Sequence, residues 1–475
     1  MRYVADVPQT RQADGSAASR VGEAALIARA AFGVATVAAR MLGQVYGARV
    51  VVLAGSGHNA ADACLAAATL ARRGAHVTVL RSSTREGDEH WQHAIRGLRV
   101  VPDQVRAAAP DLIIDGLTGV GGRGGGLSGQ AAELAAWTES TGAPVLAVDL
   151  PSGVDADTGA VDGPAVRADV TVTFDRRKPA HVVGAAAARC GLVVVVDVGL
   201  DFPAALPVAV PDADDLAPLL QAPPPEADKY SRGVVGVLAG GDAYAGAAVL
   251  CAGGAVRAGA GYVRYLGPDL DGEAARSVRR RWPSVVAGPG RVDAWVCGPG
   301  VAAADAERLR GAVESDLPAV LDAGALELGA AALRARRGPT LITPHAGEFH
   351  RLTGVDPAPD PLGAARRAAR ELGVHVLLKG DRTVIAAPDG RALVNPTGTP
   401  WLSTAGTGDV LAGAAGALLA AAAKRAGREG TDIDVLLVGA GAAFLHGLAG
   451  RYAPEPLNAA DLLDAWPLAV AAVRD

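Results

Sequence analysis

RVVVLAGSGHNAADACLAAATLARRGAHVTVL, residues 49–80, is the stretch whose reading decides the fold. An apolar run leads into a glycine turn, an Ala/Leu-rich segment follows, and a second β-branched run closes the unit. That is a βαβ unit with its loop at the carboxyl end of the first strand. The loop reads GSGHNA and lacks the GxGxxG spacing, so a standard NAD-binding fold is not implied.

Three more strand-and-loop pairs extend this reading. DLIIDGLTGVGGRGGG at 111–126 ends in glycines that suit an anion-tolerant loop. VLAVDLPSGVDADTG at 145–159 puts Asp149 at a strand end and Ser152 in a turn, and VTVTF leads into Asp175 and Lys178. Upstream, residues 1–48 read as helical, with periodic Ala-rich stretches at 17–32 and 35–46. Asn59, Asp115, Asp149 and Ser152 thus fall at or just beyond strand ends. In a parallel sheet those ends share one edge, where ligands bind. Their oxygens suit a hard cation. Four loop residues with ordinary capping roles would look the same.

A Pro- and Asp-dense segment at about 208–228 reads as a linker or a crossing segment. We expect one domain at 1–210 and another at 211–475. The second half repeats the strand–turn–helix pattern, so it reads as a second doubly wound α/β domain. Its turns carry polar groups: GGDAYAG within 229–266, CGPG at 297–300, Asp322, His345 and Glu348 in TPHAGEF, and Lys379 in LLKGDRTVI. The last is AGTGDVLAG at 405–413, with Asp409 between a glycine turn and an Ala/Leu-rich helix. Gly406 and Gly408 permit close backbone approach, and amides at a helix start favour an anion. Asp409 is then a helix cap, a metal or water ligand, or a base toward a hydroxyl.

Composition bounds the function. The 475 residues are 50% apolar and 20% charged with net charge -5, which leaves no basic footprint for nucleic acid. The four cysteines are far apart and form no close ligand pair, so a reducing compartment is expected. The N-terminus lacks the apolar run of a signal peptide. The Ala/Gly runs near 405–424 and 435–450 read as too weakly hydrophobic to span a membrane. No GxxxxGK[ST], GxSxG or HExxH occurs, which removes P-loop, acyl-transfer and zinc-hydrolase readings. Phosphate chemistry using backbone amides and one Asp base remains consistent.

Taken together, KYSRG, TPHAGEF, LLKGDRTVI, NPTG and AGTGDVLAG resemble the bifunctional NAD(P)H-hydrate repair enzymes over nearly the whole chain. The resemblance implies a Rossmann-like NAD(P)H-hydrate epimerase domain followed by a ribokinase-like, ADP-dependent (S)-NAD(P)H-hydrate dehydratase domain. Substrates would be NADHX and NADPHX, with ADP and Mg2+ in the second domain and K+ in the first. Asp409 would be the base toward the C6 hydroxyl. The nucleotide would meet Lys379, Gly380, Asp381, Arg382, Thr383 and Gly408. The hydrate would meet Ala245, Gly246, Gly300 and His345. In the first domain, Asn59, Asp115 and Ser152 match potassium ligands and Asp149 a proton-transfer residue. The substrate loops map to His58, Asn59, Ala60, Ala61 and Asp62, and to Gly119, Val120, Gly121, Gly122, Arg123, Gly124 and Gly125. The family's GxGNNGGDG reads GSGHNAADA here, with His58 for Asn and Ala60, Ala61 and Ala63 for glycines, each adding a Cβ near the loop. Gly324 stands where the family's DADAL has an Asp. The resemblance also implies a cytoplasmic homo-oligomer, with no membrane or nucleic-acid partner. A ribokinase-like kinase of a small hydroxylated metabolite, with a silent N-terminal binding module, is the alternative.

Overall fold

The protein is described from a computed structural model covering residues 1–82, 98–101, 109–120, 125–267 and 269–474. The chain divides into two compact units, Tyr3–Leu206 and Pro207–Asp475, the latter joined by Met1–Arg2.

The N-terminal unit is built on strands β1 (Arg49–Ala54), β2 (His76–Arg81), β3 (Arg99–Val101), β4 (Leu112–Gly116), β5 (Val145–Val148), β6 (Val170–Phe174) and β7 (Leu192–Val196). They form a seven-stranded sheet in the order β3-β2-β1-β4-β5-β6-β7. Every pairing in it is parallel. Successive side chains of β1 point to opposite faces. Val50 and Val52 join a core with Val34, Cys64 and Leu70, from helices α2 (Glu23–Leu42) and α3 (His58–Arg72). Val51 and Leu53 pack on Leu134 and Trp137 of the helix Gly129–Thr141. Burial on both faces is why β1 reads as an unbroken apolar run. The strand order reverses between β1 and β4, and a crevice at such a point is where open α/β sheets bind ligands.

Helix α1 (Val7–Val21) precedes α2. The periodic stretch read at 17–32 is shared between the end of α1 and the start of α2, and α2 runs unbroken across residues 33 and 34. Gly33 is a packing residue there: a Cβ on it would stand 2.6 Å from Val196 Cγ1.

The C-terminal unit contains β8 (Val208–Val210), β9 (Val234–Leu238), β10 (Tyr262–Tyr265), β11 (Val286–Ala287), β12 (Ala294–Cys297), β13 (Ala319–Leu321), β14 (Thr340–Ile342), β15 (His375–Leu378), β16 (Val384–Ala386) and β17 (Ala392–Val394). From β8 the order runs β8-β17-β16-β15-β14-β13-β12-β9-β10-β11. Among the described strands from β8 onward, only β16 pairs antiparallel, with β15 and β17. The segment read as a linker supplies β8 and a short helix, Ala213–Leu216. Four helices bear on the argument: α4 (Ala245–Arg257), α5 (Ala346–Thr353), α6 (Thr407–Glu429) and α7 (Val435–Tyr452).

Helices α4 and α6 pack backbone against backbone. A Cβ on Gly413 would overlap the Cys251 carbonyl, and one on Gly254 would overlap the Val410 carbonyl. By length and composition alone, Glu23–Leu42, Thr407–Glu429 and Val435–Tyr452 are apolar enough to cross a membrane, against the expectation for the last two. In α6 and α7, 67% and 78% of the apolar window is buried inside the protein, and packing in the fold accounts for that apolar character.

Candidate functional site

The N-terminal candidate site lies at the carboxyl edge of its sheet. A cavity of about 790 Å³ is lined by residues that include Thr10, Asp14, His58, Asn59, Asp62, Asp149 and Lys178. Asp149 follows β5 with φ +65, a left-handed conformation that non-glycine residues adopt only under strain. Its Oδ1 accepts hydrogen bonds from Lys178 Nζ at 2.7 Å and Thr173 Oγ1 at 2.9 Å. His181 Nδ1 accepts from the Lys178 N–H, which leaves Nε2–H to donate to the Asp149 carbonyl at 2.8 Å. Burial pushes the Asp149 pKa up, but the Lys178 charge and hydrogen bond outweigh it and hold the carboxyl below its ordinary value. Burial and the Lys178 charge push His181 down to about 4, so its ring is neutral. Lys178 and His181 flank a proline three positions apart in KPAH, and only their burial against Asp149 distinguishes them from surface residues.

The sequence-expected cation ligands also converge. Ser152 donates to Asp115 from its amide at 2.8 Å and its hydroxyl at 2.7 Å, while Thr118 N–H donates to Ser152 Oγ. Asn59 Nδ2 donates to the carbonyls of Thr118 and Val148. Asp115 is fully buried, and burial raises its pKa to about 6 against the pull of its Ser152 and Leu117 hydrogen bonds.

In the diverged loop, Ala60, Ala61 and Ala63 are wholly buried, and none of them lines the cavity. Ala60 and Ala63 pack in the core beside Cys64. Their methyls therefore do not narrow the ligand space, contrary to the expectation from adding a Cβ. His58 is exposed, with Nε2 3.3 Å from Glu23 Oε1. Gly119 and Val120 line the cavity. Gly125 has a positive φ and open space where a Cβ would stand. Gly121, Gly122, Arg123 and Gly124 lie outside the described residues.

The C-terminal unit gathers its charged groups at the carboxyl ends of adjacent strands β13, β14 and β15. Asp322 follows β13 and accepts from Lys379 Nζ at 2.8 Å and Thr343 Oγ1 at 2.9 Å. Glu348 Oε2 stands 3.7 Å from Lys379 Nζ and accepts from the His345 amide. His345 caps α5, its Nδ1 accepting from the Gly347 and Glu348 amides. Asp409 lies in the first turn of α6, after Gly406 at φ +92. Burial, with the nearby Asp322 charge, raises Asp409 to about 7, partly offset by Lys379. Burial would lower Lys379, but Asp322 and Glu348 hold it above its ordinary value. A Cβ on Gly408 would stand 3.4 Å from Lys379 Nζ, which locates the lysine beside the helix start.

The turn Gly380–Thr383 joins β15 to β16, and Thr383 Oγ1 donates to the Gly380 carbonyl. Asp381 is exposed and Arg382 half-buried. Gly300 lines a separate cavity of about 520 Å³ with Gly240, Tyr244 and Arg308. Ala245 and Gly246 open α4 next to Tyr244, while His345 and Asp409 do not line that cavity. Gly324 has no room for a side chain, since a Cβ there would overlap the Val301 carbonyl. Unannounced in the sequence is His446 of α7, buried, with Nε2 2.9 Å from the Thr407 carbonyl in the first turn of α6.

Two families match, NAD(P)H-hydrate dehydratase over residues 235–465 and YjeF-related protein N-terminus over residues 23–180. The chain is 45% identical over 435 residues to the bifunctional NAD(P)H-hydrate repair enzyme Nnr of Mycobacterium tuberculosis, covering 88% of this chain and 89% of that protein. It is 44% identical over 437 residues to the Mycobacterium leprae enzyme of the same description, covering 89% and 90%. A solved ribokinase-like superfamily protein from Enterococcus faecalis matches at TM-score 0.50 and 22% identity, covering 58% of this chain and 100% of that one, a likeness of fold. With strand order, edge-clustered polar groups and 44–45% identity over 88–89% of its length in agreement, the chain belongs to the bifunctional NAD(P)H-hydrate repair enzyme Nnr family.

Proposed function

We propose that the domain at 211–475 dehydrates (S)-NAD(P)H-hydrate with ADP as phosphoryl donor, releasing NAD(P)H, AMP and phosphate. We further propose that the domain at 1–210 interconverts the R and S hydrates. The observation that carries the reading is Asp409, a half-buried carboxyl at a glycine-framed helix start, poised near neutral pH. A base with such a pKa serves proton removal at physiological pH. Asp409 takes the proton of the C6 hydroxyl as its oxygen bonds to the terminal phosphorus of ADP. The bond to AMP breaks, and loss of a ring proton with departure of phosphate restores the nicotinamide double bond. Amides at the start of α6 and the Lys379 ammonium face the phosphate charge. Gly380, Asp381, Arg382 and Thr383 hold the nucleotide, and Ala245, Gly246, Gly300 and His345 the hydrate.

Mg2+ would neutralise charge on the ADP phosphates. Among the described residues no cluster of three His, Cys, Asp or Glu is arranged for a metal. In the first domain, Asp115, Ser152 and Asn59 would hold K+. A fully buried carboxylate whose hydrogen-bond donors are all neutral fits a cation partner. Asp149 moves the proton that links the epimers. We place the enzyme in the cytoplasm as a homo-oligomer, with its four cysteines buried and outside any disulfide.

The test compares hydrated NADH plus ADP with thiazole and pyrimidine vitamin precursors plus ATP, using wild type and Asp409→Ala. Dehydration by wild type, cut about 10³-fold or more in the variant with R-to-S conversion retained, is the expected result. Turnover of the vitamin precursors alone would replace the reading with a kinase.

A further inference from the structure

Two polar atoms in the N-terminal cavity have no use in the chemistry above. Thr10 Oγ1 and Asp62 Oδ1 are buried without a hydrogen-bond partner among the described residues. Both residues line the 790 Å³ cavity, and they are only 4% and 8% exposed. An orphaned buried polar atom in a native protein calls for a water, an ion or a ligand. Thr10 comes from α1, which precedes the matched family segment at 23–180, and Asp62 comes from α3.

The charges around Asp62 select the ligand. Asp14 and Asp149 line the same cavity with Asp62, while Lys178 is engaged by Asp149. His58 and Glu23 also line it, 3.3 Å from one another, and Arg11 completes the charged groups of its wall. Three carboxyls at one end reject a phosphate and suit a neutral hydroxyl or amide. Burial, followed by the charges of Asp149 and Asp14, raises the Asp62 pKa well above its ordinary value. Asp149 is held below its own. Two carboxyls pushed apart in this way form an acid and a base.

We infer that Asp62 is the proton donor that works opposite Asp149 in epimerisation, with Thr10 hydrogen-bonded to the ring carboxamide or hydroxyl beside it; the inference rests on the epimerase reading of this domain. Asp62 gives its proton to the C6 hydroxyl, and the C6–O bond breaks with its electron pair leaving on water. The ring nitrogen lone pair forms a C=N bond, and C6 becomes planar. Water returns to the opposite face, Asp149 takes its proton, and the C=N electron pair goes back to nitrogen. One proton has passed from Asp62 to Asp149, and exchange with solvent resets the pair. No oxidant or second substrate is consumed.

The experiment follows (R)-NADH-hydrate to its S epimer by chromatography, without ADP, above the spontaneous rate. It uses full-length wild type, Asp62→Asn and Thr10→Val. Asp62→Asn keeps shape and hydrogen bonding but cannot protonate a leaving group, so kcat falls about 100-fold or more with KM nearly unchanged. Its pH profile also loses the basic limb. Thr10→Val raises KM about tenfold with kcat retained. ADP-dependent dehydration of the S hydrate stays at the wild-type rate in both, which reports folding. An active wild type with Asp62→Asn equally fast, or with Thr10→Val unchanged in KM, overturns the inference alone. A wild type that does not epimerise at all overturns the epimerase reading and this inference with it.

Discussion

Asp149 stands directly beyond strand β5 and Asp409 in the first turn of helix α6, each with a buried or half-buried lysine nearby, yet their acidities diverge. Lys178 bonds Asp149 directly at 2.7 Å and keeps it ionised. Lys379 bonds Asp322 at 2.8 Å instead, and burial, with the neighbouring Asp322 charge adding to it, raises Asp409 to about 7. A lysine on the carboxylate holds it ionised in the resting protein; a lysine on its neighbour leaves it titrating near neutral pH.

The largest effect should come from breaking the first arrangement. Lys178→Met leaves Asp149 buried without its cation, so the protein should lose about 3–5 kcal/mol at pH 7 in urea unfolding. Because the folded Asp149 pKa is depressed, the wild-type pair stabilises above the ordinary carboxylate pKa and ceases to as pH falls through the folded value. In the variant the unpaired buried carboxyl takes up a proton as pH falls, and in wild type the pair dissolves below the ordinary carboxylate value, so the gap between them should shrink markedly from pH 7 to pH 3. An equal gap at both pH values would remove the ion pair from the explanation.

Relocating the second lysine is the next test. Asp322→Asn removes the charge that raises Asp409 and releases Lys379 toward it. The acid limb of the dehydratase kcat/KM profile, expected near pH 7 in wild type, should move down by about one unit. A limb that stays in place means that burial alone sets the Asp409 pKa.

The smallest effect is on stability. A carboxyl whose folded pKa is raised costs stability once pH exceeds its unfolded value, and the full cost is present above about 7. Asp409→Asn should thus raise the thermal midpoint at pH 8 by a few degrees, about 1–2 kcal/mol for a half-buried group. Below about pH 4 the gain should vanish, because the wild-type group is then neutral in both states. A gain independent of pH would point to packing.

The sequence carried the architecture because its signals are local. The β1 run, burying alternate residues on both faces, is legible without any partner, and so is the glycine turn before Asp409. What escaped depends on residues distant in the chain. Thr173, Lys178 and His181 acquire roles only by converging on Asp149, 24 to 32 positions away. The GSGHNAADA loop shows the opposite error: its added methyls looked obstructive in sequence, yet the helix turns Ala60 and Ala63 into the core and leaves Asn59 and Asp62 on the cavity. The pKa order of the carboxylates was illegible for the same reason, since it rests on which acid each lysine selects.

The backbone contact between α4 and α6 gives the Gly- and Ala-rich composition a further meaning. Gly413 and Gly254 fix how far apart the two helices lie, and Asp409 rides on the end of one of them. The position of that carboxyl is thereby set by residues buried between the two helices. A side chain at either glycine would drive the helices apart and carry the Asp409 carboxyl with them, so the plain composition at this seam sets a dimension of the site.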